Sequence, residues 1–329
     1  MKKTLFKDTI LVSAVSGDIG SAAVRSLATA GYEIVGCDMK SYTPVAHLLR
    51  RFYQSPAAAQ GDEYVRFIKT VIEKEHVTHF LPISEPEIEL IHLRRAEARQ
   101  FGAKLVLNNE IILDNFLDKL KTMHYLQNIG IRTPQTMLLN EYADDFDYPL
   151  IVKPTKSCGS RRLWIVDDSA DLEYVRRKVD GVFVAQEYIG SENDDYTTGI
   201  FSDESIISTI SFRRKLGYGG LSAEVVLEDH PALDSLARDI ASKTNLVGSI
   251  NLQSRRINDI FIPYEINPRL SSTLLFRNKF GFDDAVWWIL VLNGLSYSYK
   301  KQFIAGAAVR CFSEYFIDLH AVTGEKSIL

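Results

Sequence analysis

The chain has 329 residues, 46% of them hydrophobic and 24% charged, a balance typical of a soluble globular protein with room for two or three packed units. A net charge of −4 and a pI near 6 give no basic footprint for nucleic acid, and no run of about 18 apolar residues predicts a membrane span. Cys37, Cys158 and Cys311 are odd in number and far apart, which predicts reduced thiols in a cytoplasmic protein.

The basic start MKKTLFKDTILVSAVSGDIG is unlike a signal peptide, because Lys7-Asp8 breaks the apolar run and a glycine turn ends it. Thr9 to Ala14 reads as a buried strand, Ser21 to Ala30 as a helix and Tyr32 to Cys37 as a second strand ending at Asp38. This is the β-turn-α-β opening of a doubly wound sheet. Gly17 and Gly20 supply only G-x-x-G, so a tight turn with close helix packing is favoured over a dinucleotide site that would use Asp38. A helix over Tyr64 to Glu75, a strand over His79 to Ile83, a surface helix over Glu85 to Gln100 and a fourth strand over Lys104 to Leu107 complete the unit.

A helix over Asp114 to Gly130 stops at the glycine, before Ile131-Arg132-Thr133-Pro134. Tyr148 to Pro154 is a strand holding Lys153 among apolar neighbours, a placement that implies an edge position or an anionic partner. The loop Thr155 to Arg162 can cover a triphosphate with backbone N–H groups and basic side chains, and leads to a strand over Leu163 to Val166. Ala170 to Lys178 is a helix and Val182 to Tyr188 a strand. Gly199 to Phe201 and Ser205 to Phe212 pair around Asp203-Glu204. The cluster Arg213-Arg214-Lys215 follows, beside a glycine-rich loop; it either grips an acidic group or is simply solvated. Pro231 to Thr244 is a helix. Phe282 to Leu295 is an apolar helix better explained by packing than by a cofactor, and Ala305 to Phe312 is a last strand.

The most informative stretch is VGSINLQSRRINDIFIPYEINPRLSST, Val247 to Thr273. It reads as two strands joined by a polar turn at Asn258-Asp259, with Asn251 and Gln253 on one face and Glu265, Asn267 and Arg269 on one face of the second strand. Folding about Asp259 brings Gln253 near Glu265. A carboxylate flanked by two amides is an all-oxygen set suited to Mg²⁺, and Arg269 can hold an anionic group against that metal.

Tyr264-Glu265-Ile266-Asn267-Pro268-Arg269-Leu270-Ser271, preceded by Asn251-Leu252-Gln253, resembles the metal-binding hairpin of the ATP-grasp superfamily, in particular the carbamoyl-phosphate synthetase branch and its single-unit carboxylate–amine ligase relatives. The resemblance implies an α/β chain with a Rossmann-like pre-ATP-grasp domain over 1–112 and an ATP-grasp fold of two α+β lobes, 113–185 with the phosphate lid and 186–329 with the metal site. It implies Lys119 and Lys153 on the ATP phosphates, Gly159 and Ser160 in the lid, and Glu187, Tyr188 and Ile189 as the hinge at the adenine edge. It also implies Asp195 on the ribose (Asp194 and Glu192 being alternatives), Gln253, Glu265 and Asn267 as metal ligands, and Arg269 as the catalytic residue. The lid departs from the pattern, because Ser157 and Arg162 stand where glycines are common. The implied activity is an ATP- and Mg²⁺-dependent (alternatively Mn²⁺-dependent) ligation of a small carboxylate to an amine or thiol through an acyl phosphate, in a cytoplasmic homodimer. Alternatives are an ATP-binding protein without turnover, synthetase-like phosphorylation of a small carboxylate, and, on Gly17, Gly20 and Asp38 alone, an NAD(P)-dependent oxidoreductase.

Overall fold

A computed structural model of the chain describes residues 8–156, 163–301, 305–311 and 313–316. The chain forms two compact units, one drawn from Met1–Leu107, Ser272–Lys300 and Arg310–Leu329, the other from Asn108–Ser271 and Lys301–Val309.

In the first unit β1 (Thr9–Val12), β2 (Glu33–Asp38), β3 (Arg51–Gln54), β4 (His79–Leu81) and β5 (Lys104–Leu105) make a parallel sheet in the order β3-β2-β1-β4-β5. Every residue of β1 is buried, as in parallel strands covered on both faces. Helix α1 (Asp18–Ala30) follows β1 so closely that a Cβ on Gly20 would lie 2.2 Å from the Ala14 carbonyl oxygen, so only glycine fits. The Asp38 carboxylate accepts hydrogen bonds from the Ser16 N–H (2.8 Å) and the Lys40 N–H (2.9 Å). The acid that the dinucleotide reading requires is thus engaged in bracing the turn. Helix α2 is Asp62–Glu75. The helix expected over 85–100 is two helices, α3 (Glu85–Leu93) and α4 (Arg95–Ala98), because Arg94 leaves helical backbone and its guanidinium pairs with Asp62 at 2.6 Å. At the start of α3 a Ser84–Glu87 capping box fixes the entry of the chain.

The second unit opens with α5 (Glu110–Phe116) and α6 (Lys119–Asn128) where one helix was expected. Asp118 is the reason: its side chain accepts from Leu120 and Lys121 N–H, an N-cap that starts a new helix. Strands β6 (Thr136–Leu138), β7 (Leu150–Pro154), β8 (Trp164–Val166) and β9 (Phe183–Glu187) form an antiparallel sheet ordered β6-β9-β7-β8, with α7 (Ser169–Lys178) packing Leu172 and Val175 onto Leu150, Val152 and Ala185. A six-stranded antiparallel sheet, ordered β14-β13-β10-β11-β12-β15, is built from β10 (Asp195–Asp203), β11 (Ile207–Leu216), β12 (Ser222–Leu227), β13 (Val247–Ile257), β14 (Ile260–Asn267) and β15 (Ala307–Val309). Its apolar face packs Ile250, Leu252 and Ile266 against Met123 and Leu126 of α6 and Leu233, Ala237 and Ile240 of α8 (Pro231–Lys243).

The chain then returns to the first unit through α9 (Leu274–Lys279) and α10 (Asp284–Leu292). Ser26 on α1 donates to Asp283 at 2.6 Å, Asn293 to Asp8 at 2.9 Å, and Arg277 pairs with Asp284 at 3.0 Å with both side chains wholly buried. The expected lobe over 186–329 is therefore interrupted, since Ser272–Lys300 belongs to the first unit. Trp287 stacks on Tyr297 and meets Phe282 edge-on, so this helix packs as its apolar sequence predicts.

Candidate functional site

The site is built on the β13–β14 hairpin of the second unit. Asn258 and Asp259 both take positive φ (47° and 65°) between the paired Ile257 and Ile260, the two-residue turn whose twist matches a hairpin. The register sets Gln253 opposite Glu265 and Asn251 opposite Asn267. Beyond Gln253 it shifts, and Ser254 pairs with Pro263, leaving Tyr264 as the extra residue of a bulge. β14 is an edge strand, where proline's missing N–H does no harm. The bulge lets adjacent residues serve one site: the Lys153 ammonium lies 3.8 Å from Glu265 Oε2 and 5.6 Å from the centre of the Tyr264 ring. Asn108 fixes the frame by donating to the carbonyls of Ser249 and Pro268, at 2.8 and 2.9 Å.

Lys153 is an interior strand residue, 5% exposed. Burial pushes its amine down to about 8; Glu265 opposes the shift, while Lys119 and Arg255 add to it. Burial also works against ionisation of Glu265, but Lys119, Lys153, the Asn267 amide and Arg214 together hold its carboxyl below the usual range. Lys119 reaches this neighbourhood because α6 begins with it: its N–H donates to the Thr155 carbonyl at 2.8 Å, at the end of the Lys153 strand.

The three expected metal ligands come together. Asn267 Nδ2 donates to Glu265 Oε1 at 3.1 Å, and Gln253 faces Glu265 across the ladder. Among the described residues no group of three or more His, Cys, Asp or Glu is placed to hold a metal, so the donor set here is one carboxylate and two amide oxygens. That chemistry fits a hard cation such as Mg²⁺ whose remaining ligands come from phosphate and water. In this structure Arg214 Nη2 donates to Gln253 Oε1 at 2.9 Å and Arg269 Nη2 to Asn267 Oδ1 at 3.1 Å, so guanidinium groups hold the amide oxygens a cation would take.

Sequence reading missed Arg214, Arg255 and Tyr264. Arg214 was expected in a loop cluster that grips an acidic group or is solvated, but β11 continues through it. It shares its strand face with Ile210 and Phe212, a parity that marked it as inward. Its Nε donates to Asp195 Oδ1 at 2.7 Å and its Nη2 to the Tyr264 hydroxyl at 2.8 Å. Arg213 pairs with Glu228 and Lys215 with Glu224, so the cluster is neither a free grip nor merely solvated. Asp195 is not presented as a ribose acid: it is 3% exposed and its oxygens are bonded by Arg214 and Tyr264. Of its alternatives, Asp194 pairs with Arg256 at 2.9 Å and Glu192 is exposed.

Across the expected hinge, the Glu187 N–H donates to the Gln135 carbonyl, the Tyr188 N–H to that of Pro149, and the Ile189 carbonyl accepts from Arg255. Gly159 and Ser160, with most of the lid loop, lie outside the described residues.

Residues 116–273 match the family model described as ATP-grasp domain. The chain contains an ATP-grasp domain. That domain falls almost wholly in the second unit and includes every site residue above except Asn108. The carbamoyl phosphate synthase large chain of Campylobacter jejuni is 25% identical to this chain over 244 residues, 63% of the chain and 22% of that protein. The chain spans about a quarter of the length of the curated relatives it matches. The biotin carboxylase domain of Hydrogenobacter thermophilus 2-oxoglutarate carboxylase, solved with MgADP, ADP and bicarbonate, matches with a TM-score of 0.72 at 14% identity, over 89% of this chain and 71% of that one. The L-amino acid ligase from Bacillus licheniformis matches at 0.69 and 14%, over 86% and 73%. At such identities the shared property is the fold.

Proposed function

We propose that the chain is an ATP- and Mg²⁺-dependent ligase that joins a small carboxylate to an amine or thiol through an acyl phosphate, with release of ADP. The observation that carries this reading is the register that sets Gln253 against Glu265, with Asn267 on the same strand and Lys153 at 3.8 Å, inside an ATP-grasp domain. The fold likeness to an L-amino acid ligase supports the carboxylate–amine class. The β1–β5 sheet then serves as the pre-ATP-grasp domain, a supporting role consistent with Asp38 being used to brace its own turn.

A carboxylate is a poor electrophile, so an amine attacks it only after phosphorylation, and the two anions must first be brought together. Lys119 and Lys153 hold the phosphates that are not transferred. Glu265, Asn267 and Gln253 hold the cation, which supplies charge neutralisation at the phosphate oxygens. Arg269 orients the phosphoryl group in transfer. The loop Thr155 to Arg162 excludes water, which would otherwise hydrolyse the acyl phosphate. A cytoplasmic setting belongs to the same proposal; no helix among the described residues is long and apolar enough to cross a membrane.

The test is Mg-ATP binding and ADP release against pools of amino acids and small carboxylates, for wild type and for the double variant Glu265→Ala with Asn267→Ala. ADP formed with one particular pool, and abolished in the variant, is expected and names the substrate. ATP binding without ADP from any pool would leave a nucleotide-binding protein, and no ATP binding by wild type would leave a shared fold without the activity.

A further inference from the structure

Gln253 faces a problem that Glu265 does not. A carboxylate offers an oxygen whichever way it turns, whereas an amide turned over presents an NH₂ group, which a cation cannot use as a ligand. The side chain therefore has to be held with its oxygen toward the metal. A guanidinium carries donors only, so a guanidinium beside the amide selects the oxygen. Arg214 stands in that place: its Nη2 donates to Gln253 Oε1 at 2.9 Å. An amide oxygen has two lone pairs, and one bond from Arg214 leaves the other pair for a cation.

Arg214 is itself held in place. It lies on β11 and Gln253 on β13, with β10 between them, so the guanidinium reaches across a strand. On that middle strand Asp195 Oδ1 accepts from Arg214 Nε at 2.7 Å. The Tyr264 hydroxyl accepts from Arg214 Nη2 at 2.8 Å and donates to Asp195 Oδ2 at 2.9 Å, which closes a ring of three side chains. Both members of the ion pair are buried. Asp195 thus cancels, at close range, a positive charge that would otherwise repel a cation on Gln253. Building on the Mg²⁺-dependent reading above, we propose that Arg214 is a positioning residue of the metal site. Braced by Asp195 and Tyr264, it turns the oxygen of the Gln253 amide to the cation and acts on the metal through that side chain. Outer partners of this kind are worth about 10–100-fold in metal affinity.

The test is calorimetric binding of ATP, without acceptor substrates, once with Mg²⁺ and once with EDTA. The proteins are wild type, Arg214→Met, Gln253→Glu and the double variant, and the ratio of the two affinities reads the metal's contribution. Arg214→Met is expected to lower that ratio about ten-fold or more while metal-free ATP binds as before. In the Gln253→Glu background the same substitution should not lower the ratio, because a carboxylate has no wrong way round. A merely structural role would weaken ATP binding with and without metal, and in both backgrounds. If thermal melting shows that the methionine variants are unfolded, Arg214→Lys decides in the same two backgrounds. It keeps a charge beside Asp195 but lacks the fork that bonds Asp195 and Gln253 together. An unchanged ratio, or an equal loss in both backgrounds, overturns the assignment and leaves the ligase reading intact. Wild type that binds ATP equally with Mg²⁺ and with EDTA overturns the metal site and the assignment with it, and wild type that binds no ATP overturns the ligase reading as well.

Discussion

Lys153 carries the clearest consequence at the scale of single residues. Its amine is pushed down to about 8 from the ordinary 10.5, so between those values the unfolded chain holds a proton that the folded protein has released. The cost of burying the charge is therefore present at neutral pH and is relieved as pH rises through that window. Unfolding free energy should climb from about pH 8 to pH 10 in wild type relative to Lys153→Met, by on the order of 2–3 kcal/mol in denaturant titrations. Mg-ATP affinity should move the opposite way, falling in wild type above about pH 8 because only the charged amine attracts phosphate, with no such fall in the methionine variant. Lys153, Gln253, Glu265 and Asn267 were legible in the sequence because a charge in an apolar strand and an acid between amides are local patterns. Arg214 and Arg255 were not. Their partners lie 19 and 66 residues away in the chain, at Asp195 and Ile189, and only the sheet register brings them together.

At the scale of elements, the hairpin was readable because alternation and a two-residue polar turn fix the register between them. The turn invites a direct check. Asp259 sits at φ 65°, a region closed to β-branched side chains, so Asp259→Val should destabilise the protein by about 1–2 kcal/mol in urea unfolding. Asp259→Gly should be neutral or mildly stabilising. The misread elements share a cause, namely that interruptions were smaller than the periodic signal around them. Asp118 looked like one more helical residue until its side chain was seen capping α6, and Arg94 breaks a run whose polarity continues across it. β3 and β6 are four and three residues long, too short for a period to register, and β11 ran on past its apolar stretch because its arginines are neutralised across the sheet.

For the whole molecule, the division into units differs from the order of the sequence. α9 and α10 belong to the first unit, where Asp283 meets Ser26 on α1, yet they follow the entire ATP-grasp domain. A fragment ending at residue 112 lacks them and should expose the apolar side of α1, bind a hydrophobic dye and lose a cooperative thermal transition, whereas the full chain keeps it. That strands and helices mix in an α/β chain was legible in the opening segments, but the return of 272–300 was not, because nothing local in an apolar helix names the surface it covers. During synthesis the same interleaving imposes a schedule. The ribosome releases the sheet of the first unit long before residues 272–300 exist, and at about 5–20 residues per second the wait is roughly 10–40 s. The segment made early stays incomplete through that interval, exposed to chaperones and proteases, while the domain inserted between its parts can already close in all but its edge strand β15.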